Sequence, residues 1–191
     1  MLHSVVLAPE PDRYTALIAQ IQQEIPGFRV VRKDQSKFQR AIAVALKIVT
    51  FGAQRVYLTD YQTTIGRTVY VTADWDELPA DERYCTMRHE LIHVRQFRRY
   101  TVPVMAFLYL MVPLPLGLSW FRARFEKEAY AETIRASAEV FGELYVRRPE
   151  FGARIVQQFT GGAYGWMWPF PGAMQRWVAA QIDTAVKEAC P

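Results

Sequence analysis

The sequence predicts an α+β fold: a small sheet packed on helices, followed by a mostly helical C-terminal half. Three observations carry that expectation. Apolar residues recur at helical spacing before residue 50 and again after residue 80. Runs rich in Val, Tyr, Thr and Ile occupy the stretch between 55 and 72, and no internal repeat interrupts the order. With 191 residues, 51% hydrophobic and 22% charged, the chain is long enough to bury a core as one domain over 1–191 without disulfide staples.

Taken in order, Tyr14, Leu17, Ile18, Ile21 and Ile25 share one helical face, and the pattern stops at Pro26-Gly27. Phe28 to Val31 reads as a strand. Phe38, Ile42, Leu46 and Val49 form a second helical stripe, with Ser36 placed to cap it. Arg55 to Thr59 and Thr64 to Thr72 read as two strands joined by a polar hairpin or loop. Beyond the polar, proline-containing stretch Asp74 to Ala80, the residues Tyr84, Met87, Leu91 and Val94 return to helical spacing. An apolar segment from Val102 to Phe121 follows, then helices over about Ala123 to Tyr145, Glu150 to Phe159 and Ala173 to Val186. The aromatic, proline-rich stretch at 166–178 is expected to pack the last helix, with a partner patch or a specificity wall as the alternative.

Charge narrows the function classes. The net charge is +4 and the basic residues are dispersed, so no nucleic-acid partner is expected. Cys85 and Cys190 offer neither a disulfide framework nor the spacing of a redox or zinc motif. The first residues lack a basic start followed by an apolar core, so the chain is expected to be cytoplasmic, or released without a cleavable leader.

The chemistry is concentrated in Arg88-His89-Glu90-Leu91-Ile92-His93. On a helix, His89 and His93 lie one turn apart on one face and can grip a single metal ion. Glu90 sits a step round the helix, placed to take a proton from a metal-activated water rather than to act as a third ligand. Imidazole and carboxylate donors with an open fourth position suit Zn2+. The remaining histidine, His3, lies far away, so the third ligand is sought among carboxylates. Glu126 and Glu128, about thirty residues downstream, are the contenders. Residues two apart on a helix point nearly opposite ways, so only one can face the metal. Glu126 heads the face of Tyr130, Thr133, Ser137, Val140 and Leu144, small or apolar positions suited to burial. Glu128 heads the charged face of Glu132, Arg135 and Glu139. The pattern favours Glu126 and leaves Glu128 as the alternative.

These two parts, His89 to His93 and then Glu126-x-x-Ala129-Tyr130, resemble the signature of the gluzincin metallopeptidases, H-E-x-x-H followed by a helix bearing E-x-x-A-D. The longer metzincin pattern is excluded, because Gln96 and Arg99 stand where it needs Gly and His. The resemblance covers roughly residues 84–133. It implies a zincin-like fold, Glu126 as third zinc ligand, Glu90 as general base, and a sheet edge, within Tyr57 to Val71, that aligns an extended peptide. Where that family often has Asp, this chain has Tyr130, whose phenol can support a zinc histidine but carries no charge. With Glu128 as ligand, Glu-Ala-Tyr-Ala is instead similar to the aminopeptidase form E-G-F-A.

Val102 to Phe121 holds no charge over 20 residues and is flanked by Arg98, Arg99, Arg122 and Arg124. Its three prolines oppose one continuous helix, and a single crossing would separate the two histidines from Glu126. The segment is therefore expected to turn back on itself, packed on protein or touching a membrane peripherally. The activity expected is hydrolysis of a peptide or protein substrate by a zinc metallopeptidase. The alternative is a non-catalytic zinc-binding interaction or structural module.

Overall fold

The computed structural model describes residues 11–37, 39–42, 61–110, 120–161 and 167–189. Helix α1 (Arg13–Glu24) starts where Asp12 accepts the backbone N–H of Thr15 at 2.9 Å, satisfying an otherwise orphaned donor. It ends before Gly27, whose φ of +82° turns the chain into strand β1 (Arg29–Arg32). A 3-10 turn (Lys33–Gln35) follows, and Ser36 accepts the N–H of Gln39 at 3.2 Å, the capping role expected of it. Leu46, Val49 and the expected strand Arg55 to Thr59 lie outside the described residues, as do His3 and Cys190.

Strands β2 (Thr63–Ile65) and β3 (Thr68–Val71) form an antiparallel hairpin, and β1 pairs in parallel with β3, giving the order β1-β3-β2. The single strand expected across Thr64 to Thr72 is instead this hairpin. Gly66, with φ of +62°, occupies the first position of a two-residue turn, a conformation glycine enters without the Cβ clash of other residues. A second 3-10 turn (Trp75–Glu77) buries Trp75 and leads into helix α2 (Ala80–Tyr100), which carries the histidine motif. Asp81 and Glu82 in its first turn, and Arg98 and Arg99 in its last, complement the helix dipole.

Helix α3 (Val102–Leu110) follows directly, and helix α4 (Trp120–Phe141) returns antiparallel to α2. The turn the sequence places near Pro113 to Gly117 lies outside the described residues. The helix expected to run to Tyr145 is interrupted at Gly142, with φ of +79°, and a single turn, α5 (Glu143–Val146), precedes α6 (Pro149–Thr160) and α7 (Pro171–Ala189). No helix among the described residues is long and apolar enough to cross a membrane.

Two apolar clusters divide the core. Leu17, Ile21, Val69, Val71, Trp75, Met87 and Val94 join α1, the sheet and α2. Ile134, Ala138, Ile155, Phe159, Met174 and Val178 join α4, α6 and α7. Met167 and Met174 are fully buried, with Trp168 and Trp177 packed on the second cluster, so the described part of the aromatic C-terminal stretch packs the last helix except at Phe170, which is 59% exposed. Helix α4 contributes to both clusters, and the α2–α4 seam between them holds the histidine motif.

Candidate metal centre

An ion-pair clamp sets the register of the seam. Arg88 on α2 pairs with Glu132 and Glu139 on α4 and donates to the Tyr84 hydroxyl, which in turn donates to Glu139. Glu132 and Glu139, read from sequence as a solvated charged face, thus tie one helix to the other. The motif residues come next along the seam, His89 directly after Arg88 and Glu126 less than two turns before Glu132.

There His89, His93 and Glu126 converge, one ligand atom from each within 4.8 Å of the others. The Glu126 carboxylate lies 3.7 Å from Nε2 of His89 and 3.7 Å from Nε2 of His93, and those two nitrogens are 3.2 Å apart. Glu128 takes a different place: it is exposed, and its carboxylate accepts a hydrogen bond from Gln96 at 3.0 Å. Glu126 is 3% exposed.

The neighbours of each imidazole fix which nitrogen faces the cluster. Gln96 Nε2 donates to the carbonyl of Phe125 (3.1 Å) and to Glu128, two groups that can only accept. Its Oε1 therefore faces Nδ1 of His93, 2.9 Å away, and accepts that proton. Thr133 donates its hydroxyl to the carbonyl of Ala129 at 3.2 Å, leaving its oxygen to accept from Nδ1 of His89 at 2.9 Å. Both rings are thus held in the tautomer whose Nε2 lone pair points into the cluster. Tyr130 packs edge-on against His89, with ring centroids 4.8 Å apart.

Two lone pairs and a carboxylate converging in a buried seam repel one another unless a positive charge lies between them. The fields on the rings express this. Burial, then the neighbouring His93, hold His89 below its ordinary pKa. Burial opposes charge on His93 as well, but the Glu126 and Glu90 carboxylates outweigh it and hold that ring above its ordinary value. A divalent cation fits the donor set. Bonds of about 2.0–2.1 Å in tetrahedral geometry put ligand atoms ~3.4 Å apart, against the 3.2 Å and 3.7 Å found here.

Glu90, 6% exposed, stands beside this cluster and outside it; its Oε2 accepts the Thr64 hydroxyl from β2 at 2.6 Å. The strand thereby fixes one carboxylate oxygen and leaves Oε1 to other partners. Lys33, a residue without a sequence signal, is 0% exposed and donates from Nζ to the carbonyl of Tyr61 at 2.5 Å. Burial pushes its ammonium down to about 8, while the Glu90 carboxylate pulls the other way. No spacing rule announces Lys33 or Thr64, because both reach the site through tertiary packing. Gln96 and Thr133 were legible in principle. Each is a polar side chain on the face of a ligand, three residues after His93 and seven after Glu126.

Two shallow clefts, between α6 and α7 and beside α1, lie away from the cluster and bring no His, Cys, Asp or Glu together. No family model, no curated protein and no solved structure matches the chain.

Proposed function

We propose that the chain is a zinc-dependent metallopeptidase with a zincin-like, gluzincin-type site: His89, His93 and Glu126 hold Zn2+, and Glu90 is the general base. The observation that carries this reading is the convergence of two tautomer-fixed imidazoles and a buried carboxylate beside a second, separately held carboxylate. Zinc, when bound, polarises a carbonyl and lowers the pKa of water to roughly 7.

The chain's own residues supply the rest. Glu90, with Oε2 occupied by Thr64, takes the attacking water's proton on Oε1 and passes it to the departing amine. Among the described residues β2 is one of the sheet's two edge strands, and an extended substrate adding there would run past Glu90 along the strand that holds it. His89, with 14% of its side chain exposed, marks the open side of the centre.

The test is metal-dependent cleavage of unfolded casein by the parent and by Glu90→Gln, with zinc content measured on both. Cleavage is expected to fall by about 10²–10⁴ in the variant at equal zinc content. Equal turnover in the two proteins would remove Glu90 from the mechanism, and no metal-dependent cleavage by the parent would favour a structural zinc module.

A further inference from the structure

Between Glu90 and Glu126 the sequence contains five arginines and no acidic residue or lysine. The fold gathers most of that stretch at one end of the α2–α4 pair. Thr101, at φ of +62° the one non-glycine residue with positive φ among the described residues, breaks α2 sharply, and α3 begins at the next position. Helix α3 is anchored inward by Met105, which is 1% exposed. Pro103, Val104 and Phe107 lie on the opposite side of the helix. Val102, Val104 and Phe107 are 44%, 45% and 61% exposed, and Trp120 and Phe121 at the start of α4 are 44% and 37% exposed. Soluble proteins seldom leave such a group of large apolar side chains together on the surface.

The rim is cationic. Arg98, Arg99 and Arg124 are exposed and form no ion pair with any described residue; Arg99 and Arg124 rest only on the rings of Tyr100 and Trp120, 5.3 Å and 5.6 Å from the centroids. At the C-terminus of α2 arginines suit the helix dipole. At the N-terminus of α4, whose first turn holds no acid, Arg122 and Arg124 oppose it. Helix energetics therefore does not account for the exposed Arg124, whereas an anionic surface outside the protein does.

We propose that α3 and the first turn of α4 form a peripheral docking face for an anionic lipid bilayer. Phe107, Val104 and Trp120 enter the headgroup–acyl boundary while Arg98, Arg99 and Arg124 meet lipid phosphates. Nine residues of α3 span only about 14 Å, less than half a hydrocarbon core of ~30 Å, so the contact is insertion into one leaflet. Charge complementarity selects lipid over a second copy of the chain, because two copies meeting through this face would bring the same arginines together. None of these residues is a proposed metal ligand, and the face would confine the proposed hydrolase to substrates at the bilayer surface.

The test is flotation of the purified protein with vesicles of phosphatidylcholine alone and of equal parts phosphatidylcholine and phosphatidylglycerol, at low and high salt. Circular dichroism and sedimentation velocity are run without lipid. The parent is expected to float with the mixed vesicles, much less with phosphatidylcholine alone, and to be released by salt. Neutralising Arg98, Arg99 and Arg124 to Gln should weaken binding by about fivefold per residue, on the order of a hundredfold together. Val104→Glu with Phe107→Glu should abolish binding with an unchanged circular dichroism spectrum. A parent that does not float with mixed vesicles overturns the proposal, as does flotation insensitive to the arginine substitutions. A dimer that dissociates on Val104→Glu with Phe107→Glu, without vesicle binding by the parent, would assign the face to a second copy instead.

Discussion

His93 donates its Nδ1 proton to Oε1 of Gln96 at 2.9 Å, and the amide of Gln96 is locked in that orientation by a carbonyl and a carboxylate that can only accept. A three-residue spacing on one helix thus sets the tautomer of a candidate ligand. Glu128, the weaker contender for third ligand, joins this arrangement from behind the ring.

Gln96→Leu is therefore expected to keep the fold and lose metal affinity by about 10–100-fold, the usual cost of removing a partner that orients a ligating histidine. Thr133→Val should do the same to His89, while Thr133→Ser, which retains the accepting oxygen, should behave like the parent. Competition with a chromophoric chelator measures all three. Parent-like affinity in both Gln96→Leu and Thr133→Val would show that packing alone, through Tyr130 and the helix seam, orients the rings.

Thr64→Val removes the hydroxyl that holds Glu90 without touching a proposed ligand. Metal affinity is expected to stay within about twofold, since ligand geometry is untouched, while kcat falls by roughly tenfold or more from a carboxylate no longer aimed. A change in affinity with kcat preserved would place Thr64 in metal retention instead.

Lys33 gives a pH-dependent signature. Its folded-state pKa of about 8 lies below the ordinary lysine value of 10.5, so between those values the unfolded chain binds more protons and stability rises with pH. Below about pH 8 both states are protonated and the penalty of burying the ammonium is constant. Over the window the gain attributable to Lys33 is on the order of 3 kcal/mol. Cys85, pushed up to about 11 by burial, and Tyr84, also raised by burial, act in the opposite sense at high pH. The informative quantity is consequently the difference between parent and Lys33→Met, followed by urea unfolding from pH 7 to 10. That difference should shift toward the parent as pH rises, and a pH-independent difference would mean that Lys33 titrates normally.

Much of this was legible in the sequence wherever a local rule applies. Ser36 announced its cap, the period from Tyr84 to Val94 announced α2, and the uncharged face through Thr133 and Ser137 pointed Glu126 inward. The hairpin at Gly66 was missed because Thr64 to Thr72 is uniformly β-prone, and a two-residue turn needs only one glycine to interrupt it. Gly142 was passed over for the same reason within a longer helical pattern. Glu132 and Glu139 looked solvated because their cation, Arg88, lies on another helix. Thr64 and Lys33 left no periodic trace, since Thr64 meets Glu90 across 26 residues and Lys33 meets the Tyr61 carbonyl across 28.

The most direct test is a zinc titration of the parent beside His89→Ala, His93→Ala, Glu126→Ala and Glu128→Ala. The account predicts one zinc per parent chain, a loss of affinity of about a hundredfold or more in the first three variants, and no more than a fewfold change in Glu128→Ala. Full zinc affinity in His89→Ala and His93→Ala, or a greater loss in Glu128→Ala than in Glu126→Ala, would contradict it.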